Sequence, residues 1–170
     1  MGKDSLVVIF MGSEKDLDHA EEIVEVLDRF QVEHEVRALS AHKLARVVLE
    51  ELENYDESYE QVIYIAVAGR SNALGPMISA HTTNPVINCP IIGSFQEDLF
   101  SSLRTPSAVP CSTILDPGNA AIHAVQILGL SDQDLSARLR EWRAQVVESL
   151  KETDRKVQEK GDQPQRGRVV

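Results

Sequence analysis

Val62-Ile63-Tyr64-Ile65-Ala66-Val67-Ala68 runs for seven residues without a charge or a turn former, and Gly69-Arg70-Ser71-Asn72 follows at once. An unbroken, β-branched apolar run of that length suits a strand covered on both faces, the condition of strands in parallel sheets. Residues 6–11 (LVVIFM) repeat the pattern and end at Gly12-Ser13-Glu14-Lys15-Asp16. Between the two runs, residues 17–30 place Ile23, Val26, Leu27 and Phe30 at helical spacing with acids on the opposite face. A strand over residues 34–39 then ends at Ser40-Ala41-His42-Lys43, and a helix from about Leu44 carries Val47, Val48, Leu49 and Leu52. Downstream, the pattern predicts a short helix over 73–80, short strands over 85–89 and 112–115, and a helix over 120–128 opened by Asp116-Pro117-Gly118. Ser131 with Asp134 reads as the cap of a long last helix whose apolar stripe is Leu135, Leu139, Trp142, Val146 and Leu150. Its polar continuation reaches about Lys160, and the Gly/Pro/Gln/Arg-rich tail over 161–170 is expected to be disordered.

Strands alternating with helices imply an α/β domain with a parallel sheet and helices on both faces, here one domain over residues 1–160 without internal repeats. The length of 170 residues suits one core. No apolar run approaches a membrane span, and the short charged start before the first strand is unlike a secretory leader, so a cytoplasmic protein is expected. Cys89 and Cys111 lack CxxC spacing and read as reduced, buried thiols. The net charge of −10 argues against nucleic acid and anionic membranes as partners. Its distribution says more: residues 1–130 hold 8 basic and 19 acidic side chains, and Lys15, Lys43, Arg46, Arg70 and Arg104 lie in or beside expected loops.

In a parallel sheet, ligands bind outside the carboxyl ends of the strands. The residues after the first three strands should therefore share one crevice. Gly12 and Ser13 precede a helix, where free backbone N–H groups favour an anion such as phosphate, aided by Ser13, Lys15 and Asp16. They equally suit a plain turn capped by Ser13 or Asp16. His42, between Ser40 and Lys43, has the side chain for proton transfer near neutral pH, or is a solvated loop histidine. Gly69 allows close backbone approach, and Arg70, Ser71 and Asn72 offer donors to a carboxylate or CO2-like oxygen, or simply start a helix. Ser79-Ala80-His81 repeats the tripeptide at a helix end, where catalysis is not expected. His19, His34 and His123 have no partner at metal spacing, so no metal is expected.

Met11-Gly12-Ser13-x-x-Asp16, Ser40-Ala41-His42-Lys43, Ala68-Gly69-Arg70-Ser71-Asn72-Ala73-Leu74, Ser101-Ser102-Leu103-Arg104-x-Pro106-Ser107 and Asn119-Ala120-Ala121 together resemble the aminoimidazole ribonucleotide (AIR) carboxylase family of purine biosynthesis. The resemblance covers residues 5–130 in order. It implies a three-layer flavodoxin-like doubly wound sheet with a long C-terminal helix, and a homo-octamer with active sites at subunit contacts. It implies no metal or cofactor. His42 would be the general acid/base, and Gly12, Ser13, Lys15, Asp16, Ser40 and Lys43 would hold the phosphate and ribose. Ala68, Gly69, Arg70, Ser71 and Asn72 would hold CO2 and the imidazole. Ser-Ala-His-Lys and Ala-Gly-Arg-Ser-Asn are similar to the branch that carboxylates AIR directly with CO2, rather than the branch that rearranges N5-carboxy-AIR (N5-CAIR), whose third loop typically reads Ala-Gly-Gly-Ala-Ala-His. In this chain Lys15 stands where the family usually has a second Ser, and Leu44-Ala45 where it has Thr-Pro or Gly-Pro. A flavodoxin-like binding module is the other class: a response regulator would need acids after the first strand, and an FMN carrier more than 5% aromatics.

Overall fold

The computed structural model describes residues 3–93 and 96–161, so the tail from residue 162 lies outside the described residues. Five strands form one parallel sheet: β1 (Lys3–Met11), β2 (His34–Ala38), β3 (Tyr59–Ala68), β4 (Val86–Pro90) and β5 (Ser112–Thr113), in the order β2-β1-β3-β4-β5. The helices are α1 (Leu17–Arg29), α2 (Ala41–Ser58), α3 (Leu74–Ser79), α4 (Leu99–Leu103), α5 (Pro117–Leu128) and α6 (Gln133–Gly161). That strand order is the flavodoxin-like one.

The apolar runs divide by period two, as side chains on a pleated strand must. Val7, Ile9 and Met11 of β1, with Ile63, Ile65 and Val67 of β3, pack under α1 and α5 against Ile23, Leu27, Ala121 and Val125. Leu6, Val8 and Phe10, with Val62, Tyr64 and Ala66, face Val48, Leu52, Tyr55, Leu74 and Ile78 of α2 and α3. Both faces of both central strands are thus covered, giving three layers. The chain winds from β1 outward to β2, then returns past β1 to β3 and onward to β5. The reversal lies between the carboxyl ends of β1 and β3, the position at which sheets of this kind bind their ligands.

Helix ends refine the expected boundaries. α2 starts at Ala41, not near Leu44, with Ser40 at its N-cap and a break at Leu44 (φ −133°, ψ 33°). Residues 42–47 are all exposed, so no buried stripe marks this first turn. Asp132, not Ser131, caps α6: its Oδ1 accepts the Leu135 amide at 2.9 Å, whereas Ser131 Oγ donates to Gln61. α4 was not foreseen, and β5 is two residues long rather than four. Cys89 is buried, but Cys111 only partly. α1 ends in a Schellman turn, in which Gln31 N donates to Asp28 O (2.9 Å) and Val32 N to Leu27 O (3.0 Å). α6 docks through Leu135, through Arg138 on the Phe30 carbonyl, and through Trp142 edge-on to the Phe30 ring. Among the described residues no helix is long and apolar enough to cross a membrane.

Candidate active site

Three segments leave the carboxyl ends of β1, β2 and β3 in turn. The first is stitched to the third. Gly12 N donates to Val67 O at 3.2 Å, and the side chain of Asp16 folds back over its own turn. Its Oδ2 accepts Ser13 N at 3.0 Å and Ser13 Oγ at 3.2 Å. The carboxylate is 9% exposed and lies against the α-carbons of Gly12 and Gly69. A Cβ on Gly69 would come within 2.9 Å of Asp16 Oδ1, so glycine is needed there for close approach.

The second segment joins through Leu39 N, which donates to Met11 O at 2.9 Å, extending the β1–β2 contact to the loop. Ser40 O then accepts Lys43 N and Leu44 N, winding Ala41, His42 and Lys43 into one helical turn. His42 and Lys43 are exposed, and neither side chain has a hydrogen-bond or ion-pair partner among the described residues. Expected in a loop, His42 instead stands in the first turn of α2, where backbone N–H groups add positive potential.

The third segment is held at both ends. Ala68 O accepts Ile91 N at 3.0 Å, while Gly69, Arg70 and Ser71 are exposed. Asn72 is 4% exposed and fully engaged. Its Oδ1 accepts Gly75 N (3.0 Å), its Nδ2 donates to Ser102 Oγ (3.1 Å), and its backbone N donates to Ser101 Oγ (2.8 Å). Asn72 thus braces the loop against α3 and α4 instead of aiming its amide outward. Arg70 lines a shallow pocket with Ala68, Pro90, Ile91 and Asp98.

Charge accumulates at this edge by default. On α6, Lys151 and Lys156 pair with Glu148 and Glu152. Lys15 and Lys43 have no acidic partner among the described residues, which leaves them available to an anion. Arg46, grouped with them in the sequence, instead pairs with Glu50 along α2. Arg104 is exposed at the end of α4.

Groups outside these segments have other duties. His81 lies in the turn after α3 on the return path to β4, its Nδ1 2.8 Å from Met77 O. His19, without a partner in sequence, lies with Nε2 3.4 Å from Cys89 Sγ. Burial, followed by the charges of Asp116 and Glu22, pushes the Cys89 thiol up to about 12, so it stays protonated. Among the described residues, no group of three or more His, Cys, Asp or Glu is placed to hold a metal. Sequence reasoning missed the part played by Ser101 and Ser102: the motif contained them, but only the fold sets them against Asn72.

The AIR carboxylase family model matches residues 6–149. A Drosophila melanogaster bifunctional phosphoribosylaminoimidazole carboxylase/succinocarboxamide synthetase is 41% identical over 157 residues, covering 91% of this chain and 37% of the relative. This chain thus spans little more than a third of such relatives. A phosphoribosylaminoimidazole carboxylase of Treponema denticola is 36% identical over 154 residues, with 89% of this chain and 97% of the relative covered. The N5-carboxyaminoimidazole ribonucleotide mutase of Methanocaldococcus jannaschii is 37% identical over 158 residues, with 91% and 98% covered. The crystal structure of Treponema denticola PurE superposes with a TM-score of 0.85 at 37% identity, covering 89% of this chain and 98% of that one. A pattern that runs from β1 well into α6, on a backbone shared with a solved member, means that the chain belongs to the AIR carboxylase family of purine biosynthesis.

Proposed function

We propose that this chain carboxylates AIR at C4 with CO2, giving 4-carboxy-AIR, and that it works as a cytoplasmic homo-octamer. The observation that supports this reading is the contact of Asp16 with Gly69, which brings the turn 12–16 beside the exposed residues 69–71 at the switch point of the sheet. In it, the amides of Gly12 and Ser13 are spent on Val67 O and Asp16 and shape the turn, Lys15, Ser40 and Lys43 hold the phosphate, and Asp16 accepts from ribose. The loop that Asn72 closes presents Gly69, Arg70 and Ser71 to CO2 and the imidazole edge.

The aminoimidazole C4 is an enamine carbon. Its electron pair forms the new bond to CO2, and C4 briefly carries both hydrogen and carboxylate. His42 takes the C4 proton, the C–H pair returns to the ring, and aromaticity is restored. The imidazolium then releases that proton to solvent; in reverse it delivers the proton to C4. A positioned base of this kind contributes about 10²–10⁴-fold, and holding CO2 against C4 supplies orientation as well.

The Arg-Ser-Asn form of the third loop and the 41% identity to the bifunctional carboxylase support direct carboxylation. The 37% identity to the archaeal mutase supports the second reading, in which N5-CAIR is rearranged at the same site. The purified chain, given AIR with bicarbonate or N5-CAIR alone in parallel, separates them. Faster turnover of AIR is expected; turnover of N5-CAIR only would establish the mutase, and turnover of neither a non-catalytic nucleotide-binding relative.

A further inference from the structure

The loop 69–72 is exposed over three of its four residues, yet catalysis would require it to keep one shape. At its start the β-ladder suffices, through the Ala68 carbonyl. At its end the chain turns into α3, a helix of only six residues, and the Asn72 amide precedes its first turn. Such an amide has no partner within the helix. Here it donates to Ser101 Oγ at 2.8 Å, and that hydroxyl donates in turn to Asp98 O at 2.6 Å. The Ser101 hydroxyl is therefore oriented as acceptor towards the loop by its own bond along α4.

α4 is itself anchored. Ser102 O accepts Thr113 Oγ1 at 2.9 Å and Asn88 Nδ2 at 3.3 Å, and Asn88 is fully buried on β4. The anchor leaves one atom unsatisfied among the described residues, since Asn88 Oδ1 finds no partner there and faces Gly75 so closely that any Cβ would clash. A buried polar atom left unpaired is costly. Yet the arrangement joins β4, β5, α4 and the start of α3 into one block.

We propose that Ser101 is a positioning residue for the reaction: its hydroxyl fixes the Asn72 amide and so sets where Gly69, Arg70 and Ser71 present their donors. This rests on the carboxylation reading above. Ser101 touches no reacting atom. Its effect should therefore appear in turnover more than in nucleotide affinity, because the phosphate turn 12–16 is held separately by Asp16.

The test compares Ser101→Ala with Ser101→Thr, which keeps the hydroxyl, by steady-state kinetics in AIR and bicarbonate and by hydrogen exchange at the amides of residues 69–72. Ser101→Ala should lower kcat roughly 10- to 100-fold, leave KM for AIR within about threefold, and speed exchange in the loop. Ser101→Thr should recover most of both. An active wild type with unchanged kcat in Ser101→Ala, or Thr failing where Ala fails, overturns the assignment and leaves the carboxylase reading standing. A wild type inert to AIR and to N5-CAIR removes the reaction itself, and the positioning role with it, whatever the exchange shows.

Discussion

Asp16 and Gly69, 53 positions apart in the chain, meet beyond the carboxyl ends of β1 and β3, with the carboxylate filling the space a side chain on Gly69 would need. Because Asp16 is also tied to Ser13 by two hydrogen bonds, it cannot swing away freely. Gly69→Ala must therefore displace either the phosphate turn or the third loop. We expect kcat/KM to fall by about tenfold or more, with the melting temperature within a few degrees of wild type. Kinetics and differential scanning calorimetry on the same preparation decide this, and near-normal kinetics would show that the two loops move independently.

His42 is exposed in the first turn of α2 and has no hydrogen-bonding partner among the described residues that would report on its loss. His42→Asn keeps a polar side chain of similar reach while removing the imidazole proposed to exchange the C4 proton. Turnover should disappear, and AIR affinity measured by calorimetry should stay within about tenfold of wild type. Substantial residual activity would take His42 out of the mechanism.

Gln31 holds a left-handed conformation (φ 55°) at the turn that ends α1, where glycine is the usual occupant. An L-residue there carries a penalty of about 1–2 kcal/mol, partly offset by the unfolded-state freedom that glycine brings. Gln31→Gly should stabilise the fold by roughly 0.5–1 kcal/mol, visible as a higher urea midpoint with an unchanged m-value. No change, or destabilisation, would mean that the Gln31 side chain contributes contacts of its own.

Cys89 is fully buried and its thiol is pushed up to about 12, from an ordinary value of 9.0. The unfolded chain therefore loses this proton first. The Cys89 contribution to stability is whole below about pH 9 and drains away as the pH climbs towards 12. Tyr64, raised by burial and by its bond to Asp56, acts in the same direction. Cys89→Ala should flatten part of that alkaline decline in urea melts. With a thiol reagent at pH 8, Cys111 should react before Cys89, which should need denaturant; rapid labelling of both would contradict the burial.

The sheet was legible because burial on both faces writes itself as continuous apolar runs in β1 and β3. That the segments after β1, β2 and β3 share one edge was legible because parallel winding sends them there. What escaped notice lacks a local signature. The first turn of α2 buries nothing, so its residues read as a loop. α4 is five residues long and is held by Asn88 and Thr113, which approach from β4 and β5. The choice of Asp132 over Ser131 as a cap depends on where Gln61 stands. The contact of His19 with Cys89 spans 70 positions and follows from nothing nearby in sequence.

The hydroxyl that steadies the third loop comes from a residue 29 positions further along the chain. During synthesis, then, β1, β2 and β3 with the segments that follow them leave the ribosome before the segment that gives the loop its final shape. A nascent chain ending near residue 80 would carry every residue proposed to meet the substrate and still lack the hydroxyl that holds the Asn72 amide. On the positioning role proposed for Ser101, the loop reaches its final shape only with the arrival of α4, since a contact across so long a loop forms only after the chain between has folded back.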